Sequence, residues 1–130
     1  MILADTSVWV DHLRSHDDEL AELLDRGTVL GHPWVAGELA LGSLVQRADI
    51  LRLLQSLPQA VLATEAEIEG FVDQCGLFGR GIGYVDVALL AATRLTPGAQ
   101  LWTRDRRLAV VAEELGLAMP ATGPSPKPRR

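Results

Sequence analysis

A chain of 130 residues, 48% hydrophobic and 22% charged, has the length and composition of one folded domain and excludes a disordered segment. The formal net charge of −5 argues against non-specific nucleic-acid binding, although cations bound among clustered carboxylates would reverse the local field. The single cysteine, Cys75, excludes an intramolecular disulfide. No basic leader precedes an apolar run, and no stretch approaches the roughly 20 apolar residues of a membrane span, so the expected setting is the reducing cytoplasm.

Ile2-Leu3-Ala4 reads as a short buried strand running into Asp5-Thr6-Ser7, a helix cap. Helices follow over Val8–Arg14 and Asp17–Arg26, the second with Leu20, Leu23 and Leu24 on one face and Gly27 beyond its end. Thr28–Gly31 is a second strand. Pro33 opens a helix expected to run through Val35, Leu39, Leu41 and Leu44, and residues 46–57 continue helical until Pro58. Ala60-Val61-Leu62 reads as a third strand, and Thr64 with Glu67 forms a capping box for the next helix. Gly76–Gly83 is a glycine-rich loop, and Tyr84–Leu95 is an apolar helix ended by Pro97-Gly98. Gln100–Thr103 is a fourth strand, Arg104–Leu115 a helix closed by Gly116, and Leu117-Ala118-Met119 a weak fifth strand. Residues 123–130 form a basic, proline-rich tail expected to be flexible, leaving 1–122 as the domain. Short apolar strands alternating with helices predict an α/β fold. Its parallel sheet of four to five strands would be flanked by helices on both faces, with its functional crevice beyond the carboxyl ends of the strands.

That crevice is where the acids gather. Asp5 ends the first strand and Asp105 follows the fourth, behind Thr103. Asp86 lies in the first turn of its helix. Glu38 has Val35, Ala36, Leu39, Ala40 and Leu41 as neighbours, an apolar setting in which a buried carboxylate needs a partner or a cation. The plainer readings are helix caps for Asp5, Asp86 and Asp105 and an exposed face for Glu38. Carboxylates sharing one crevice repel each other and hold their protons more tightly unless a divalent cation compensates. Hard oxygen donors suit Mg²⁺ or Mn²⁺, and carboxylates with metal but no nucleophilic side chain suit phosphodiester hydrolysis.

Four segments carry a family likeness. Met1-Ile2-Leu3-Ala4-Asp5-Thr6-Ser7-Val8-Trp9-Val10 resembles the opening of PIN domains. Ala36-Gly37-Glu38-Leu39-Ala40-Leu41-Gly42 resembles their second motif, Gly83-Tyr84-Val85-Asp86-Val87-Ala88-Leu89-Leu90-Ala91-Ala92 their third, and Trp102-Thr103-Arg104-Asp105-Arg106-Arg107-Leu108 their fourth. Order and spacing match from Met1 to about Leu117, and a free-standing domain of this size resembles the VapC-type toxins of type II toxin–antitoxin systems. The resemblance implies a toxic endoribonuclease dependent on Mg²⁺ or Mn²⁺, with Asp5, Glu38, Asp86 and Asp105 holding metal and positioning the attacking water. It gives Thr6, Ser7 and Thr103 supporting or substrate-contact roles. It further implies a homodimer, also suggested by the apolar helices at 46–57 and 64–75, and neutralisation by a cognate VapB-type antitoxin whose arginine reaches the acids. The alternative is a catalytically inactive PIN-like module that binds a protein partner.

Other features stay open at this level. Arg104, Arg106 and Arg107 bracket Asp105 as either a solvated helix start or phosphate contacts. Trp9, Trp34 and Trp102 read as core packing, with Trp9, near Asp5, the one best placed to meet a base. His12 and His16 are four residues apart on a polar segment and read as solvated. Gly76, Gly79, Gly81 and Gly83 lack phosphate-loop spacing. A phosphotransfer receiver would need a lysine at the site, and the only lysine is Lys127. A haloacid-dehalogenase-like phosphatase would need an aspartate where Ser7 stands.

Overall fold

A computed structural model describes residues 1–120; the expected tail at 123–130 lies outside the described residues. In chain order the elements are β1 (Ile2–Ala4), α1 (Thr6–Ser15), α2 (Asp18–Asp25), β2 (Val29–Leu30), α3 (Pro33–Ala40), α4 (Arg47–Ser56), α5 (Glu65–Cys75), α6 (Tyr84–Leu95), β3 (Gln100–Trp102) and α7 (Arg106–Glu114). The sheet has three parallel strands in the order β2-β1-β3. Strand β1 is central and buried along its whole length, which explains a strand with no polar residue. Around it pack Val8, Trp9, Leu20, Val29, Leu89, Leu90, Leu101, Leu108 and Val111. Burying each large aliphatic side chain stabilises the fold by about 1.5–3 kcal/mol relative to leaving it exposed. Among the described residues no helix is long and apolar enough to cross a membrane.

The expectation of four to five strands is corrected to three, and the hydrogen bonds give the reason. At one edge the chain meets β2 in a single bridge, Gly31 to Gln59, made by Gly31 N–H to the Pro58 carbonyl and Ala60 N–H to the Gly31 carbonyl. Val61 N–H, on the side facing away from β2, donates to the Thr96 hydroxyl at 2.8 Å, and no further bond to β2 follows among the described residues. At the other edge Leu101 pairs with Leu117 and Met119 across one bridge at Ala118 among the described residues. Both segments run beside the sheet where strands were expected, each with one rung.

Helix α3 also ends earlier than its apolar pattern suggested. Leu41 and Gly42 N–H groups bond back to the Glu38 and Leu39 carbonyls, a tightened last turn, and the Arg47 guanidinium caps the Ala40 carbonyl at 3.1–3.2 Å. Leu41 is left exposed, and the chain re-enters a helix only after Gln46, whose φ of 57° is left-handed. The Thr64–Glu67 capping box forms as expected at the start of α5.

Candidate functional site

Register brings the first two acids into place. Ala4 pairs with Trp102, so Asp5 and Thr103 leave the sheet side by side, and Asp5 N–H donates to the Trp102 carbonyl at 3.0 Å. Asp5 is only 5% exposed. Its Oδ1 caps α1, accepting from the Ser7 and Val8 N–H groups and, at 2.5 Å, from the Ser7 hydroxyl; its Oδ2 accepts from the Thr103 hydroxyl. Both hydroxyls then tie down the next segment. Ser7 Oγ accepts from Arg104 N–H at 2.9 Å, and Thr103 Oγ1 accepts from Asp105 N–H at 3.0 Å. Asp105 caps α7 through Leu108 N–H at 3.0 Å. The plain capping reading and the site reading thus coincide at Asp5 and Asp105: a cap at each strand end is what fixes the carboxylate at the carboxyl edge of the sheet.

Asp86 is held from the other side. Its Oδ2 accepts from Gly83 N–H at 3.0 Å, at the start of α6. The loop before it is shaped by Gly81, whose φ is +79° and where a Cβ would lie 2.6 Å from the Arg107 guanidinium, so a side chain there would displace both. Glu38 differs from its expected setting. The early end of α3 leaves it exposed, and its Oε1 accepts from the Thr6 hydroxyl at 2.5 Å. Burial therefore does not oblige Glu38 to find a cation.

Electrostatics link the four. Burial pushes the Asp86 carboxyl above the ordinary carboxylate range; Gly83 N–H opposes this, and the charges of Asp105, Asp5 and Glu38 push it further up. Asp5 is also pushed up by burial, against the hydrogen bonds from Ser7, Thr103 and Val8. Among the described residues no ion pair reaches any of the four acids. Their donor set is all carboxylate oxygen, the chemistry of a hard divalent cation. Asp86, Asp105 and Glu38 each keep one carboxylate oxygen outside the hydrogen bonds described. Among the described residues no three His, Cys, Asp or Glu side chains are grouped so as to hold an ion.

The neighbouring cations sort differently from expectation. Arg104 is committed elsewhere: its guanidinium bonds Asp11 at 2.8 Å and Asp17 at 2.5 Å and lies 5.5 Å from the Trp102 ring centre. Arg106, at the first turn of α7, is exposed. Trp9, expected to be the tryptophan open to a base, is 1% exposed and belongs to the core. Trp34 is the open one, and its ring meets that of Tyr84. The spacing Trp34–Glu38, one helical turn, was the available signal for this. A groove of about 410 Å³ opens beside Thr6 and Glu38, lined by Val10, Leu13, Leu44, Val45 and Ile50 with Arg14 among them.

The chain is similar to Ribonuclease VapC32 of Mycobacterium tuberculosis, in two strains, with 48% identity over 119 residues, covering 92% of this chain and 96% of the relative. The chain belongs to the VapC family of PIN-domain ribonucleases. No family model matches it. Within this VapC chain, the acids of all four motifs converge at the carboxyl edge of a parallel sheet, and the small hydroxyl residues beside them are their hydrogen-bond donors.

Proposed function

We propose that this protein is a toxic endoribonuclease that hydrolyses RNA at the Asp5–Glu38–Asp86–Asp105 centre with Mg²⁺ or Mn²⁺, and that a cognate VapB-type antitoxin neutralises it. The observation that carries the reading is the placement of the four motif acids beside the carboxyl edge of the sheet with no ion pair to any of them among the described residues. Asp5, Asp86, Asp105 and Glu38 would hold the cation, which when bound supplies charge neutralisation at the phosphate and a more acidic water. Asp5 is oriented by Ser7 and Thr103, Glu38 by Thr6 and Asp86 by Gly83.

The groove beside Thr6 and Glu38 supports the antitoxin reading, since an apolar segment laid there would bring an arginine side chain within reach of the carboxylates. A homodimer is supported by apolar side chains left exposed on α4 and just after it, Leu53, Val61 and Leu62. Light scattering at micromolar concentration should give twice the chain mass; a monomer mass throughout would remove the dimer. Purified protein free of antitoxin should cleave single-stranded RNA with Mg²⁺ and stop with EDTA, and Asp86→Asn should lower the rate roughly a hundredfold or more. Cleavage by Asp86→Asn at the parental rate would overturn the assigned centre. RNA left intact under all these conditions would favour the inactive binding module.

A further inference from the structure

Two large aromatic side chains stand in the open beside the acids, and nothing in the catalytic reading uses them. Trp34 is 40% exposed and Tyr84, the chain's one tyrosine, is 49% exposed. Their ring centres are 5.8 Å apart with planes inclined by 32°, a tilted face-to-face contact. Single exposed aromatics are ordinary on protein surfaces, and a pair can simply cover one another. Their placement says more. Trp34 sits in the first turn of α3 with Glu38 one turn further along the same face, and Tyr84 opens α6 two residues before Asp86. The aromatic pair thus joins the two helices that carry Glu38 and Asp86.

The tryptophan is also held. Its backbone N–H donates to the Nδ1 of His32 at 3.0 Å, and the His32 ring meets the indole edge-on, with centres 6.1 Å apart and planes at 77°. His32 is buried, and burial favours its neutral form, which keeps Nδ1 as an acceptor. A rigid aromatic pair fixed beside a phosphodiester-cleaving centre has the form of a stacking platform, which takes any base because every base has a π face.

We propose that Trp34 and Tyr84 form the subsite that stacks an unpaired nucleobase of the RNA next to the scissile phosphate, with His32 as a positioning residue for Trp34. The proposal rests on the ribonuclease reading above. It implies that the enzyme favours single-stranded or looped RNA, whose bases can leave their own stack, over continuous duplex.

The test separates the two readings. Binding of a short fluorescein-labelled single-stranded RNA is measured with Mg²⁺ in the full-length Asp86→Asn protein, alongside an abasic phosphodiester chain of equal length. Adding Trp34→Leu should weaken RNA binding about tenfold, Trp34→Phe should restore most of it, and the abasic chain should bind all three proteins alike. In the cleaving parent protein the loss should fall on KM. Tyr84→Leu should give a loss of similar size, and it decides the matter should Trp34→Leu fail to give a native circular-dichroism spectrum. Unchanged RNA affinity in the leucine variants, or equal loss for RNA and the abasic chain, would overturn the platform. Base-dependent binding without any RNA cleavage by the parent would instead overturn the nuclease reading and leave the platform standing.

Discussion

Two groups of acids flank the segment Thr103-Arg104-Asp105 and meet different surroundings. Asp11 and Asp17 share one guanidinium, that of Arg104. Burial alone would raise Asp17, but the Leu20 N–H and Arg104 outweigh it and hold its carboxyl below the ordinary range. Asp5, at the end of β1, and Asp86, at the start of α6, are held above it. The segment Thr103-Arg104-Asp105 serves both groups, with Thr103 donating to Asp5 and Arg104 drawn away to Asp11 and Asp17. The contrast shows that the chain has a cation within reach of its acidic edge and spends it on structure. The edge itself is left with like charges facing one another, an arrangement that a divalent ion would relieve.

The first way to probe this contrast is to loosen the acidic side. Thr103→Val removes the donor to Asp5 Oδ2 while preserving shape. Supporting hydrogen bonds of this kind are worth about 10- to 100-fold in metal affinity or activity, so RNA cleavage should fall at least about tenfold with the fold intact. Cleavage at the parental rate would show that Asp5 needs no such support.

A smaller and more diagnostic effect comes from a pH series of thermal melts on Arg104→Ala and Asp86→Asn. The Asp17 carboxyl is lowered by folding, so its pairing stabilises above the ordinary carboxylate pKa of 3.8 and is lost as pH falls through the lowered value. Arg104→Ala should therefore cost about 1 kcal/mol at pH 7 and little in strong acid. Asp86 has the opposite sign. Its raised carboxyl makes ionisation a penalty that grows as pH rises from 3.8 through the raised value. Asp86→Asn should raise Tm by roughly a few degrees at pH 7, and the gain should vanish in acid. Shifts of the same sign in the two variants would erase the contrast.

How much of this was legible in the sequence depends on the range of the interaction. The ends of β1 and β3 and the starts of α6 and α7 follow from local patterns, and with them the meeting of Asp5, Asp86 and Asp105. The Thr64 capping box lies within four residues and was readable in full. What escaped was decided at a distance. Arg104 finds Asp11 and Asp17 at separations of 93 and 87 residues, which no local pattern encodes. The segment beside β2 is tied through Val61 N–H to the hydroxyl of Thr96, 35 residues away. Glu38 looked buried because its neighbours are apolar. Its exposure follows from the end of α3 at Ala40, set by a tightened turn and by Arg47. The openness of Trp34 rather than Trp9 has the same origin, since it depends on which face of a short helix the sheet leaves uncovered.

The account stands on the four acids acting as one cation site, and equilibrium titration with Mn²⁺ tests this most directly. The parent protein should bind Mn²⁺ saturably, and an Asp5→Ala variant that still folds should bind it at least about tenfold more weakly. Equal binding by the two, or none by either, would contradict it.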